Sequence, residues 1–185
     1  MKLTANTLNI HQELIDKCRL HDRVAQYQIY KLYSKAMFNT AVRMLGSREE
    51  AEDILQDSFV SAFRNLHSYR EDAPFGAWLK RIVVNKSISR IKQRKEMQVL
   101  SEEDDAYYFE WYENDGPELN IETVKSAIAE LPTGFRTVLT MYLLEGFDHK
   151  EIAEVLGISE STSKSQYNRA KKKLRDILGK EVNYG

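Results

Sequence analysis

A chain of 185 residues is long enough for one ordinary domain or two small ones. At 42% hydrophobic and 30% charged it reads as a soluble, folding chain, and a net charge of −1 with a pI of about 6.5 does not by itself mark a nucleic-acid binder. The single cysteine, Cys18, excludes an intrachain disulfide framework and fits a reducing cytosol.

The opening MKLTANTLNIHQEL has no long apolar core, so no signal peptide is expected. Nowhere does an apolar run approach the roughly 20 residues that span a bilayer. With 3 Pro and 8 Gly, and few alternating stretches, the chain is expected to be almost wholly helical. ELIDKC begins one helix. DRVAQYQIYKLYSKAMFNTAVRML gives a longer one, with Val24, Tyr27, Leu32, Ala36, Phe38, Val42 and Leu45 among its apolar residues, closed by Gly46. Ser47 with Glu50 is a capping-box pair opening REEAEDILQDSFVSAFRNL. In that helix Ala51, Ile54, Leu55, Ser58, Phe59, Ala62 and Leu66 share one side, and Asp53, Gln56, Asp57, Val60 and Arg64 the other.

Pro74 suits a first helical turn, which makes Ser68–Ala73 a loop. The helix that follows carries seven cations, Lys80, Arg81, Lys86, Arg90, Lys92, Arg94 and Lys95, and no acid between Pro74 and Lys95. Then the sign flips. Glu96–Asn120 holds nine acids and no Lys or Arg, with Tyr107, Tyr108, Phe109, Trp111 and Tyr112 inside the run. Gly116-Pro117 breaks any helix there, so this is read as an acidic linker with room for one short helical turn after Ser101.

Helical patterning resumes at Ile121. IETVKSAIAEL ends at Pro132, and TGFRTVLTMYLLEG runs to Gly146. Asp148 with Glu151 opens HKEIAEVL, which Gly157 closes, and Ser159 is a good N-cap for the last helix. Tyr167, Ala170, Leu174, Ile177 and Leu178 form that helix's inward stripe.

Two constellations carry function. The stretch 148–178 has the spacing of a helix-turn-helix: a short amphipathic helix, a tight turn at Gly157, and a longer basic helix, with small Ala153 where the two cross. Thr162, Lys164, Ser165, Gln166, Asn168 and Arg169 lie mainly off the inward stripe. Arg, Asn and Gln can bond base edges bidentately, while Lys and Ser suit phosphates. The other constellation is the basic helix after Pro74 with Tyr69, Phe75 and Trp78 beside it. Cations next to aromatics suit unstacked bases, although Phe75 and Trp78 also fit a core role. One module suits duplex DNA and the other opened strands.

The order AEDILQDSFVSAFRNL, FGAWLKRIVVNKSISRIK, an acidic spacer, and LPTGFRTVLTMYLLEGFDHKEIAEVLGISESTSKSQYNRAKKKLRDIL resembles the extracytoplasmic-function sigma factors of bacteria, over roughly residues 13–178. The resemblance implies an all-α chain of two small helical domains: a sigma region 2 bundle at 8–95 and a sigma region 4 helix-turn-helix at 121–180, joined by the acidic linker at 96–120. It implies docking on the clamp helices of core RNA polymerase through Asp53, Ile54, Gln56, Asp57 and Val60. Melting and reading of the −10 promoter element fall on Ser68, Tyr69, Arg70, Trp78, Lys80, Arg81, Asn85, Lys86 and Arg90. Reading of the −35 element falls on Thr162, Lys164, Ser165, Asn168 and Arg169. Two positions depart from the family: many members have valine where Ser163 stands and arginine where Gln166 stands, so the −35 sequence does not follow from the resemblance.

The family implies an anti-sigma partner, often membrane-bound, and a cytoplasmic protein that joins the nucleoid with polymerase and is held at the membrane by such a partner. Nine carboxylates in the linker are expected to mimic RNA charge in the polymerase cleft or to act as a solubilising tether. No catalytic site, cofactor, metal, small-molecule substrate or membrane insertion is expected. His11, His21, His67 and His149 are scattered, no P-loop or GxSxG occurs, and Cys18 reads as a packing residue. The competing function is a stand-alone helix-turn-helix repressor or activator, which would bind duplex promoter without polymerase.

Overall fold

The structure, a computed structural model, describes residues 10–98 and 121–182. Among these residues the chain is all-α: α1 Gln12–Arg19, α2 Arg23–Leu45, α3 Arg48–Arg64, a 3-10 turn at Leu66–Ser68, α4 Phe75–Gln98, α5 Ile121–Ala129, α6 Thr133–Leu143, α7 His149–Leu156 and α8 Glu160–Val182. They fall into two compact units, one of residues up to Val42 with Arg48–Arg90, the other of Arg43–Ser47 with the chain from Ile91 onward.

In the first unit, Asp22 starts α2 by accepting the N–H groups of Val24 and Ala25 at 2.8 and 3.0 Å. The core gathers Ile15 and Cys18 of α1, Ala25 and Ile29 of α2, Leu55 and Phe59 of α3, and Phe75, Leu79 and Val83 of α4. Edge-on aromatic pairs Tyr30–Phe59 and Tyr33–Phe75 stitch α2 to α3 and α4 at 4.8 and 5.4 Å between ring centroids. Val24, Tyr27 and Leu32 of α2 are exposed although they contribute to its apolar periodicity. The loop expected over Ser68–Ala73 begins one residue later, because Ser68 closes the 3-10 turn. Pro74 sits just before α4, its carbonyl accepting the Ala77 and Trp78 N–H groups at 2.9 and 3.2 Å. α4 runs to Gln98, three residues beyond Lys95, and the remainder of the expected linker lies outside the described residues.

The second unit contains α5–α8 around Leu131, Leu139 and Ala170, with Ile128, Phe135, Tyr167, Leu174 and Ile177 packed on them. Arg136 is buried and donates to the carbonyl of Ala129, the last residue of α5, at 2.7 Å. That places a cation on the negative end of the helix dipole, while burial lowers the arginine's pKa. α6 ends at Leu143 rather than at Gly146. The Leu144 and Glu145 N–H groups both turn back to Thr140 O, and Gly146 supplies the left-handed residue, φ 79°, that redirects the chain.

Candidate functional site

The helix-turn-helix is fixed by local chemistry at each end of α7. Asp148 accepts the Glu151 N–H at 2.8 Å and the Glu151 carboxylate accepts the Asp148 N–H at 3.0 Å, a complete capping box. Gly157, at φ 69°, ends the helix in the left-handed region, and the Ile158 N–H turns back to Ala153 O. Ser159 then caps α8 by accepting the Thr162 N–H at 3.0 Å.

α8 consequently presents Thr162, Lys164, Ser165, Asn168 and Arg169 to solvent on one surface. Gln166 is half-buried, its Oε1 3.8 Å from the point where Gly134 of α6 would carry a Cβ, so it stands on the flank of that surface. Lys164 is paired with Glu160 at 2.6 Å, and this hydrogen bond holds the Glu160 carboxyl below the usual carboxylate range. Both groups are exposed, so an incoming phosphate can displace the carboxylate at little cost.

Ser163, in contrast, is fully buried, and its Oγ lies 3.0 Å from His149 Nδ1. The His149 ring stacks on Tyr142 of α6 at 4.4 Å and meets Tyr167 of α8 edge-on at 5.6 Å. Lys171 sits 4.5 Å over the Tyr167 ring. The histidine therefore ties three helices together, a role that reading it as one of four scattered histidines missed. The hydroxyl at position 163 has a partner and is the explanation of that departure from valine.

In the first unit the expected polymerase face divides. Asp53, Gln56, Asp57 and Val60 of α3 are exposed, Val60 to 48%, while Ile54 is buried at 4% exposure. Position 54 falls on the inward side of the helix, so Ile54 supports this surface from beneath and is not part of it.

The loop and α4 divide likewise. Ser68 and Arg70 are exposed, but Tyr69 between them is 3% exposed, donates its hydroxyl to Ala73 O at 2.6 Å, and packs against Phe75 and Trp78 at 5.5 and 5.2 Å. A ring so enclosed offers no face to a base. Tyr69 is a wedge under the loop, Phe75 is core, and the half-buried Trp78 is the aromatic with accessible surface. Along α4, Trp78, Arg81 and Asn85 follow i, i+3, i+7 spacing and share one stripe. Lys80, Lys86 and Arg90 are half-buried away from it, Arg90 lying 3.8 Å from Glu50.

Two features of the loop were not legible in the sequence. Glu71 has a left-handed backbone, φ 61°, and its carboxylate is gripped by α1. Arg19 Nη1 lies 2.7 Å from Glu71 Oε1, Gln12 Nε2 donates to the same oxygen at 3.1 Å, and Arg19 Nη2 donates to Tyr69 O at 3.2 Å. No group of His, Cys, Asp and Glu among the described residues could hold a metal ion, and no described helix is long and apolar enough to cross a membrane.

Comparison with known proteins places both modules. The family profile for Sigma-70 region 2 matches residues 29–96 and that for Sigma-70 region 4 matches residues 121–174. Over 89% of its length the chain is 31% identical to the ECF RNA polymerase sigma factor SigW of Bacillus subtilis, covering 94% of that protein. Among solved structures, the sigma factor RpoE in complex with the anti-sigma factor NepR, from Bartonella quintana, matches at TM-score 0.63 and 23% identity, covering 83% of this chain and 96% of that one. CnrH in complex with the cytosolic domain of CnrY matches at TM-score 0.52 and 25% identity, covering 90% and 95%.

Proposed function

The chain belongs to the extracytoplasmic-function RNA polymerase sigma factors, which bind core polymerase and direct promoter-specific initiation, and from that premise we propose how its residues divide the work. Region 2, residues 8–95, docks on the clamp helices of core polymerase through Asp53, Gln56, Asp57 and Val60. These side chains form an exposed surface of acid, amide and one apolar group on a helix whose other side is core. Once docked, the loop residues Ser68 and Arg70 and the α4 stripe Trp78, Arg81 and Asn85 hold melted −10 strands. Trp78 stacks a base while the half-buried Lys80, Lys86 and Arg90 add positive potential at its margins.

Region 4, residues 121–180, reads the −35 element through Thr162, Lys164, Ser165, Asn168 and Arg169 in the major groove, with Gln166 at the edge. The observation that carries the reading is the division of α8 into a buried register, Ser163 and Ala170, and an exposed polar surface at the recognition end of a doubly capped helix-turn-helix.

The factor performs no chemistry of its own, and the polymerase transfers the nucleotides. The acidic segment 96–120 tethers the two regions and competes with nucleic acid for the basic polymerase cleft, a role supported by its nine carboxylates and absence of Lys or Arg. RpoE is in complex with the anti-sigma factor NepR and CnrH with the cytosolic domain of CnrY, and by that likeness this chain takes an anti-sigma partner, which holds it at the membrane where that partner is membrane-bound. The protein works in the cytoplasm, on the nucleoid.

Run-off transcription tests the whole assignment, with core polymerase from the protein's own host and a pool of host promoters. Specific start sites are expected with the wild type and not with Asp53→Ala/Gln56→Ala. Start sites that persist in the double variant remove the docking assignment. Tight duplex binding by the protein alone, without start sites, points to a stand-alone repressor.

A further inference from the structure

We propose that Arg19 and Gln12 of α1 are positioning residues for the −10 element, acting through Glu71 to set the shape of the loop that carries Ser68 and Arg70; this rests on the region 2 reading above. α1 precedes the residues matched by the region 2 profile, which begin at 29. Its sequence gives it no nucleic-acid role, yet three of its residues at i, i+4 and i+7, Gln12, Asp16 and Arg19, form one polar network that ends on the loop. Gln12 Nε2 donates to Asp16 at 3.0 Å and to Glu71 at 3.1 Å, and Arg19 bridges Asp16 and Glu71 at 3.0 and 2.7 Å. The second guanidinium nitrogen reaches Tyr69 O. One arginine thus holds two points of the same loop, a backbone carbonyl and a side chain two residues on.

The backbone makes the case specific. Glu71 is one of only two non-glycine residues with positive φ among the described residues, the other being His21 between α1 and α2. A left-handed residue with a Cβ is disfavoured and persists only where its surroundings over-determine it. If the turn alone mattered, glycine would serve better at position 71. Glutamate keeps the strain and supplies the carboxylate that Arg19 and Gln12 grip. Arg70, the exposed residue just before it, takes its direction from this anchor on one side and from the buried Tyr69 wedge on the other. The arrangement holds a short exposed loop in one shape before any nucleic acid arrives, which lowers the ordering cost of capturing an unpaired base.

Glu71→Gly separates the two explanations because it relieves the backbone while deleting the grip. Holoenzyme would be assembled from host core polymerase and the full chain, and open-complex formation compared on a promoter with its native −10 element and on one with that element substituted. The thermal midpoint of the free protein is measured alongside. The expected result is a midpoint at or above wild type with −10 discrimination reduced about fivefold, the scale of a single contact-pair coupling. Glu71→Gln, whose amide oxygen still accepts from both donors, is expected to keep most of the discrimination. Should Glu71→Gly fold poorly, Arg19→Gln at its half-exposed site gives the same comparison. Discrimination unchanged from wild type in Glu71→Gly, or in Arg19→Gln where that variant stands in for it, overturns the inference. A wild-type factor indifferent to the −10 substitution removes the region 2 reading itself, and with it this inference, a signature distinct from variant-specific failure.

Discussion

Tyr69 offers the sharpest test of how region 2 is built. Its ring is 3% exposed and its hydroxyl donates to Ala73 O at 2.6 Å. Removing the hydroxyl alone, Tyr69→Phe, forfeits one hydrogen bond in a partly buried setting, about 1 kcal/mol. Truncating the ring, Tyr69→Ala, also opens a cavity against Phe75 and Trp78, for which large aromatic-to-alanine changes cost about 3–5 kcal/mol. In a domain of roughly 60–100 residues each kcal/mol lowers the thermal midpoint by about 4–8 °C. Tyr69→Phe should therefore lower it by about 4–8 °C and Tyr69→Ala by about 12 °C or more. The two tryptophans are Trp78 and Trp111, so Trp111→Phe leaves Trp78, next to the site, as the only tryptophan reporter. Thermal unfolding followed by its fluorescence reads the local unit directly. If Tyr69→Ala left the midpoint unchanged while abolishing promoter melting, the ring would be working on DNA and the wedge argument would be wrong.

Three further outcomes are expected. Ser163→Val and His149→Phe should each destabilise region 4 and be non-additive by about 0.5–1.5 kcal/mol in a double-mutant cycle, since they share one bond; additive costs would mean the bond contributes nothing. Burial raises the Cys18 thiol from its ordinary value of 9.0 to about 11. The neutral thiol is the favoured native form, so its contribution to stability is complete below about pH 9 and lost as pH rises through about 11. Thiolate at pH 8 should correspondingly be scarcer by about a hundredfold than in the unfolded chain, and iodoacetamide labelling should be slow until urea unfolds region 2; rapid native labelling would contradict the burial. Neutralising Glu102, Glu103, Asp104 and Asp105 to the amides should change the ratio of abortive to full-length transcripts, and an unaltered ratio leaves the segment as a tether only.

Local chemistry was the readable part of the sequence. The Asp148–Glu151 box, the Gly157 stop and the Ser159 cap are decided within four residues, and each stands as spaced. Burial is decided by neighbours distant in sequence, and there the reading diverges. Tyr69 looks like a free aromatic beside cations, but the turn at Ala73 and the start of α4 close over it. Ile54 has a place on an inward stripe by periodicity and on a partner surface by family likeness, and packing chooses the first. Val24, Tyr27 and Leu32 have helical spacing yet face outward, because periodicity cannot say which side of a long helix meets a neighbour. His149 and Ser163 are fourteen positions apart and meet only because the turn folds α8 back across α7. Glu71 carries no signal at all, since its left-handed backbone and its grip by Arg19 depend on α1, more than fifty positions earlier.

The split along α8 has an evolutionary consequence. Thr162, Lys164, Ser165, Asn168 and Arg169 touch solvent, while Ser163 and Ala170 secure the helix. Substitutions at the five outward positions should leave folding within about 0.5 kcal/mol of wild type. On the proposal that these five positions read the −35 element, the promoter vocabulary of this factor can drift, or be rewritten in a randomised library, without the fold having to be rebuilt. On the same proposal, a duplicated copy would need changes only on that outward surface to answer to a different −35 sequence.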